Sequence, residues 1–90
     1  MTTEQQILQF AQARWGRVSL GVIAAKLAEE TGEVCGAIFK MPEGRATQAD
    51  FEAELGDVLI VLSQFAARCG KTLEQLREAR WRKIRRRPVR

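Results

Sequence analysis

An all-α fold is what the sequence predicts, on three observations. A Ser or Thr precedes each of four apolar-periodic segments, where a helix N-cap would accept from the backbone. Within those segments apolar residues recur at three- and four-residue intervals. No segment alternates apolar and polar residues over a useful length, and no Asn-Gly or Asp-Gly turn separates apolar runs, so hairpins lack sequence support.

Taken in order, Thr3 and Gln6 have the form of a capping box, and Ile7, Phe10, Ala11 and Trp15 carry a first helix up to Gly16. Ser19 caps a second helix whose stripe is Leu20, Ile23, Ala24, Leu27, Val34 and Ile38; it ends near Lys40, ahead of the breakers Pro42 and Gly44. Thr47 with Asp50 opens a third helix through Phe51, Leu55, Val58, Leu59, Leu62, Phe65, Ala66 and Cys69, stopped by Gly70. Thr72 with Gln75 opens a fourth, with Leu73, Leu76, Ala79 and Ile84 on one side and Pro88 forbidding continuation. The third helix is apolar all round at residues 58–62, which suits the centre of a bundle or a subunit interface.

Ninety residues hold one core and one domain, residues 1–90, and a chain of this size buries only about 60–65 % of its unfolded surface. Self-association is therefore expected. The longest apolar run, Val58 to Leu62, is five residues, against about 18 for a membrane span. Met1-Thr2-Thr3-Glu4 has neither the basic start nor the apolar stretch of a secretory signal, so a cytoplasmic protein is expected. With no His in the chain, Cys35 and Cys69 argue for reduced, buried thiols rather than a zinc site. Phe10, Trp15 and Trp81 fit core positions better than stacking ones, although each has the chemistry to stack on a base.

Charge is unevenly spread. Residues 1–76 carry seven basic and ten acidic groups, whereas residues 77–90 carry eight basic groups and Glu78 alone. The run Arg82-Lys83-Ile84-Arg85-Arg86-Arg87 reads as an anion-binding segment, for nucleic acid or phosphorylated ligands.

Against this background two helices carry carboxylates where a passive core would not. Glu30 stands three residues after Leu27 and four before Val34, inside the apolar stripe, with Glu33 beside it at i+3. In the third helix Glu54 follows Phe51 by three, and Asp57 precedes the five-residue apolar run. Burying one lone carboxylate costs several kcal/mol and four also repel one another, so a hard divalent cation such as Mg²⁺ or Mn²⁺ would stabilise them with oxygen ligands from two facing helices. A solvated helix face explains either pair alone, and both readings stay open for the two together.

These residues carry a resemblance. Lys26-Leu27-Ala28-Glu29-Glu30-Thr31-Gly32-Glu33-Val34, with Ala53-Glu54-Leu55-Gly56-Asp57-Val58-Leu59 beginning twenty residues after Glu33, resembles the Glu-x-x-Glu, spacer, Glu-x-x-Asp pattern of the MazG-like all-α nucleoside triphosphate pyrophosphohydrolases. Cys69-Gly70-Lys71-Thr72-Leu73 and the basic helix with Lys83 and Arg87 extend the likeness over roughly residues 20–87. The resemblance implies a four-helix MazG-like bundle completed by dimerisation, as a homodimer or a tetramer of dimers. It further implies Mg²⁺-dependent hydrolysis of a (deoxy)nucleoside triphosphate to the monophosphate and pyrophosphate. Carried over by position, Glu30, Glu33, Glu54 and Asp57 are metal ligands, and Glu29 and Glu30 act in catalysis, Glu29 on a second metal or the attacking water unless it is merely solvated. Lys83 and Arg87 take the phosphate-binding places, one turn apart on one face, with Arg86 able to replace Arg87; Lys26 fits an i,i+4 pair with Glu30 better than a phosphate contact. Longer members supply an aromatic contact beyond the position of Arg90, so here other residues must grip the base. Two alternatives are a helical nucleic-acid-binding module using the Arg-rich segment, and a dimerisation bundle whose carboxylates pair with the last helix's Arg residues.

Overall fold

Each helix begins where a hydroxyl meets the backbone three residues on. In the computed structural model, which describes residues 1–88, the elements are α1 (Thr3–Trp15), α2 (Leu20–Lys40), a 3₁₀ turn (Met41–Glu43), α3 (Gln48–Arg68) and α4 (Leu73–Ile84). No strand occurs among the described residues, and the fold is all-α. Val89 and Arg90, the end of the basic segment 77–90, lie outside the described residues.

Ser19 accepts from the Val22 N–H (3.2 Å). Thr47 and Asp50 form the reciprocal box, the hydroxyl accepting from Asp50 N–H at 3.1 Å and Asp50 Oδ2 from Thr47 N–H at 2.8 Å; Thr72 and Gln75 do the same. The first helix departs from expectation by one register: its box is Thr2 with Gln5, not Thr3 with Gln6. The duplicated Thr-Thr and Gln-Gln pairs allow both registers, and either keeps Glu4 in the first turn, where the helix dipole favours an acid. Gly44 (φ +72°) and Gly70 (φ +70°) turn the chain after the 3₁₀ turn and after α3, in the left-handed region that glycine enters at least cost.

α1 and α2 both pack on α3, and α2 and α3 run antiparallel as a hairpin. Ala11, Ile23, Ala37, Val61 and Ala66 form the buried apolar core. At the open end of the hairpin the Arg68 guanidinium donates to the Val18 carbonyl (3.0 Å). α4 meets mainly the end of α3, and its first N–H, on Leu73, donates to Glu4 Oε2 (3.1 Å). The bundle is thus three helices with α4 appended, rather than four helices covering one another. The expected stripe of α4 consequently stays open: Leu76, Ala79 and Ile84 are exposed.

Several expectations need correction. The apolar run of α3 is split, with Val61 buried but Leu59 and Ile60 exposed. Cys35 and Cys69 are exposed, because Cys35 lies off the α2 stripe and Cys69 sits at the α3 C-cap, beyond the packed turns. Phe10, Trp15 and Trp81 are exposed too: helical spacing put them on a face that none of the other described residues covers. Phe10 instead lies under the Arg14 guanidinium, 4.3 Å from ring centroid to Cζ. α4 ends at Ile84, four residues before Pro88, so Arg86 and Arg87 lie in the following turn and Arg87 does not share a helical face with Lys83. Crowded like charges without a covering neighbour weaken the last turn.

Candidate metal centre

The antiparallel hairpin brings the two carboxylate pairs level. One oxygen from each of Glu30, Glu33, Glu54 and Asp57 lies within 4.8 Å of the others, in a single cluster between α2 and α3. Position in each helix sets their exposure: Glu30, in the stripe, retains 6 % of its surface, Glu54 is half-buried, and Glu33 and Asp57 are exposed at the rim.

The cluster is only partly neutralised by the chain. Lys26 Nζ lies 2.9 Å from Glu30 Oε1 and 3.6 Å from Glu29 Oε1, the i,i+4 and i,i+3 pairs that the α2 spacing allows. The hydrogen bond to Glu30, and then the charges of Glu29 and Glu30, hold the Lys26 ammonium above its ordinary value. Glu30 Oε2 and Glu54 Oε2 are both buried without a hydrogen-bond donor. The closeness of the Glu54 carboxylate, which favours a shared proton, and then the charges of Glu30 and Glu54 raise the Glu33 carboxyl above the usual carboxylate range.

Orphaned buried carboxylate oxygens in a set of four hard donors fit a divalent cation such as Mg²⁺ or Ca²⁺, which takes oxygen ligands and leaves positions for water. The donor set contains no His or Cys, which speaks against a zinc-type centre.

Two depressions flank the cluster. One, of about 450 Å³, has Glu30 and Asp57 in its wall together with Trp15, Val22, Ile60 and Gln64. The other, of about 670 Å³, includes Glu29, Glu33 and Glu54 with Gly36, Lys40 and Arg45. Neither is lined by Lys83, Arg86 or Arg87. Trp15 read as a core residue from the sequence and not as a wall of this cavity, and Lys40, Arg45 and Gln64 gave no local signal. Only the pairing of the α2 and α3 ends brings them to the carboxylates.

No helix among the described residues is long and apolar enough to cross a membrane. No curated protein and no solved structure is significantly similar to the chain. A family model does match, that of the MazG nucleotide pyrophosphohydrolase domain, over residues 18–89. That stretch includes α2 through α4 and therefore all four clustered carboxylates, and the chain belongs to the MazG nucleotide pyrophosphohydrolase domain family.

Proposed function

We infer that the protein hydrolyses a nucleoside triphosphate, or its deoxy form, to the monophosphate and pyrophosphate with Mg²⁺, for which Mn²⁺ can substitute, within the cytoplasm. The observation that carries this reading is the four-carboxylate cluster with two unpartnered buried oxygens, in a chain of this family. Glu30, Glu33, Glu54 and Asp57 would hold the cation. When bound, Mg²⁺ lowers the pKa of its water, polarises a phosphoryl oxygen and offsets the triphosphate charge. Glu29, exposed and one position off the buried stripe, orients the attacking water. Glu30, buried and fixed by Lys26, keeps its ligating oxygen in place without reorganisation. Water adds at phosphorus, the bridging P–O bond breaks with its electron pair leaving on pyrophosphate, and a carboxylate of the cluster takes the water's proton. Phosphoryl transfer of this kind needs positioning and charge stabilisation rather than a protein nucleophile.

Lys83 and Arg87, with Arg86 in reserve, are assigned to phosphate by resemblance. Since neither α4 nor the turn after it lines a depression, that role calls for the basic segment of a second copy, in a homodimer or a tetramer of dimers. The same observation supports a second reading, in which the Arg-rich segment binds nucleic acid; a steep fall of affinity with salt would mark it.

Incubation with each of the eight common NTPs and dNTPs, with Mg²⁺ or Mn²⁺, is expected to release pyrophosphate and the monophosphate from at least one. Orthophosphate and a diphosphate as products, or no turnover with either metal, would overturn the assignment.

A further inference from the structure

The depressions on either side of the carboxylates are chemically unlike, and this gives the site a direction. α2 contributes Val22, Ile23, Lys26 and Glu30 to the first and residues 29–40 to the second. Lys26 and Lys40 are about 20 Å apart along α2 at 1.5 Å per residue, a span comparable with an extended nucleoside triphosphate. The first depression is walled by aliphatic side chains and the exposed Trp15 ring, with the half-buried Gln64 carboxamide among them. Its one cation, Lys26, is already held by Glu29 and Glu30. This end offers a flat apolar surface and the Gln64 carboxamide, with carboxylates where it meets the cluster at Glu30 and Asp57, and no unpaired cation for a phosphate.

The second depression is the more polar: two cations, Lys40 in the last turn of α2 and Arg45 just past the 3₁₀ turn, stand in it among the carboxylates Glu29, Glu33, Asp50 and Glu54. Lys40 makes no ion pair among the described residues. Arg45 is ion-paired with Glu43, which accepts from Nε at 2.6 Å and also meets Nη2, so Lys40 is the unpaired cation of this depression among the described residues and Arg45 offers only the N–H groups that Glu43 leaves open. Gly32 and Gly36, where an added Cβ would meet nothing within 4 Å, keep this side of α2 low.

We propose that the nucleotide lies along the α2–α3 groove in one direction, its base against Trp15 with Gln64 at its polar edge, and its β- and γ-phosphates on Lys40 and Arg45. The proposal rests on the hydrolase reading above. It places the α-phosphorus, the junction of the two products, beside Glu30, Glu33, Glu54 and Asp57. It also makes Trp15 and Gln64 specificity-determining residues, and Lys40 and Arg45 phosphate ligands supplied by the same chain as the carboxylates.

Because the two products occupy different ends, they can be tested separately and without turnover. Binding of inorganic pyrophosphate and of the eight common nucleoside monophosphates is measured by calorimetry with Mg²⁺. Lys40→Ala and Arg45→Ala should each weaken pyrophosphate about tenfold while leaving the tightest monophosphate within about twofold. Trp15→Ala should do the opposite, and Trp15→Phe should restore much of the monophosphate affinity. Lys71→Ala, which removes an exposed cation at the far end of α3, controls for net charge and should change neither. In a Trp81→Phe background, the monophosphate and not pyrophosphate should quench the remaining Trp15 fluorescence. Equal loss of both ligands in all variants, monophosphate binding indifferent to Trp15→Ala because another copy of the chain fills that cavity, or no saturable monophosphate binding would each overturn the proposal. Pyrophosphate release with the reversed binding pattern would overturn the direction alone. The expected pattern without turnover would instead sink the hydrolase reading and leave the two ends as assigned.

Discussion

Glu30 and Glu33 stand one helical turn apart in different surroundings. Glu30 is buried against Lys26, whereas Glu33, exposed, has its carboxyl raised first by hydrogen bonding toward Glu54 and then by the charges of Glu30 and Glu54. A carboxyl raised on folding favours the fold below its unfolded value, ordinarily 4.5, and that contribution is lost as pH rises through the folded value. The metal-free protein should therefore gain thermal stability as pH is lowered from neutrality toward 4.5, and Glu33→Gln should flatten that rise in a melting series with EDTA. Asp50 works in the other sense, its carboxyl lowered first by the Thr47 backbone N–H, so its share is present above 3.8 and lost as pH falls through the still lower folded value. Metal ligation gives a companion prediction. Glu33→Gln and Asp57→Asn should each abolish turnover and weaken Mg²⁺ binding in calorimetry, yet leave the metal-free fold intact or slightly more stable, since each removes a repelling charge. Unchanged Mg²⁺ affinity in both would return these residues to a solvated face.

Among the elements, α3 depends on its ends most visibly. Its first turn is closed by the Thr47–Asp50 box, and after its last turn Gly70 at φ +70° lets the Lys71 N–H reach back to the Ala66 carbonyl (2.9 Å). Thr47→Ala should cost about 1 kcal/mol. Gly70→Ala should cost about 1–2 kcal/mol, because a Cβ disfavours the left-handed region although space is open around it. Each would lower Tm by roughly 4–8 °C per kcal/mol in a domain of this size, readable by calorimetry. The cap positions of α2, α3 and α4 were legible because a capping hydroxyl, joined in α3 and α4 by its box partner three residues on, is a local pattern needing no tertiary partner. α1 was read one residue late because its doubled Thr and Gln satisfy the same pattern twice. The end of α4 was misplaced because Pro88 sets only an outer limit, while the crowded cations stop the helix sooner.

For the whole molecule the decisive quantity is uncovered apolar surface. Three of the five buried apolar residues are alanines, while Leu20, Val22, Ile38, Phe39, Leu55, Leu59 and Ile60 are exposed. Such a chain gains more from pairing than from its own core. Sedimentation equilibrium should give a multiple of 10.2 kDa, and Leu59→Lys should shift it to 10.2 kDa with loss of helicity. Leu59 is the informative site at 52 % exposure; Val61, at 4 %, would unfold the chain on conversion to Lys whether or not it pairs. A folded 10.2 kDa species for the unmodified protein would remove the assembly. Mixing Glu33→Gln with Lys83→Ala protein should restore about a quarter of the activity if α4 acts across a two-fold interface, since about half the dimers are mixed and each of these carries one intact site of two. No recovery after subunit exchange would place Lys83 outside the partner's site.

The sequence by itself determined what short-range rules govern: helical class, hydroxyl caps, the breaks around Gly44 and Gly70, and the i,i+3 spacing that puts Glu30 beside Glu33 and Glu54 beside Asp57. Tertiary structure alone decided that the two pairs stand level, that Trp15 walls a cavity rather than filling a core, that Lys40 and Arg45 share the acidic groove, and that α4 stands apart. The physical reason is that periodicity fixes which face of a helix a residue occupies, whereas the register between helices, and whether any neighbour covers that face, depends on contacts between residues far apart in the chain.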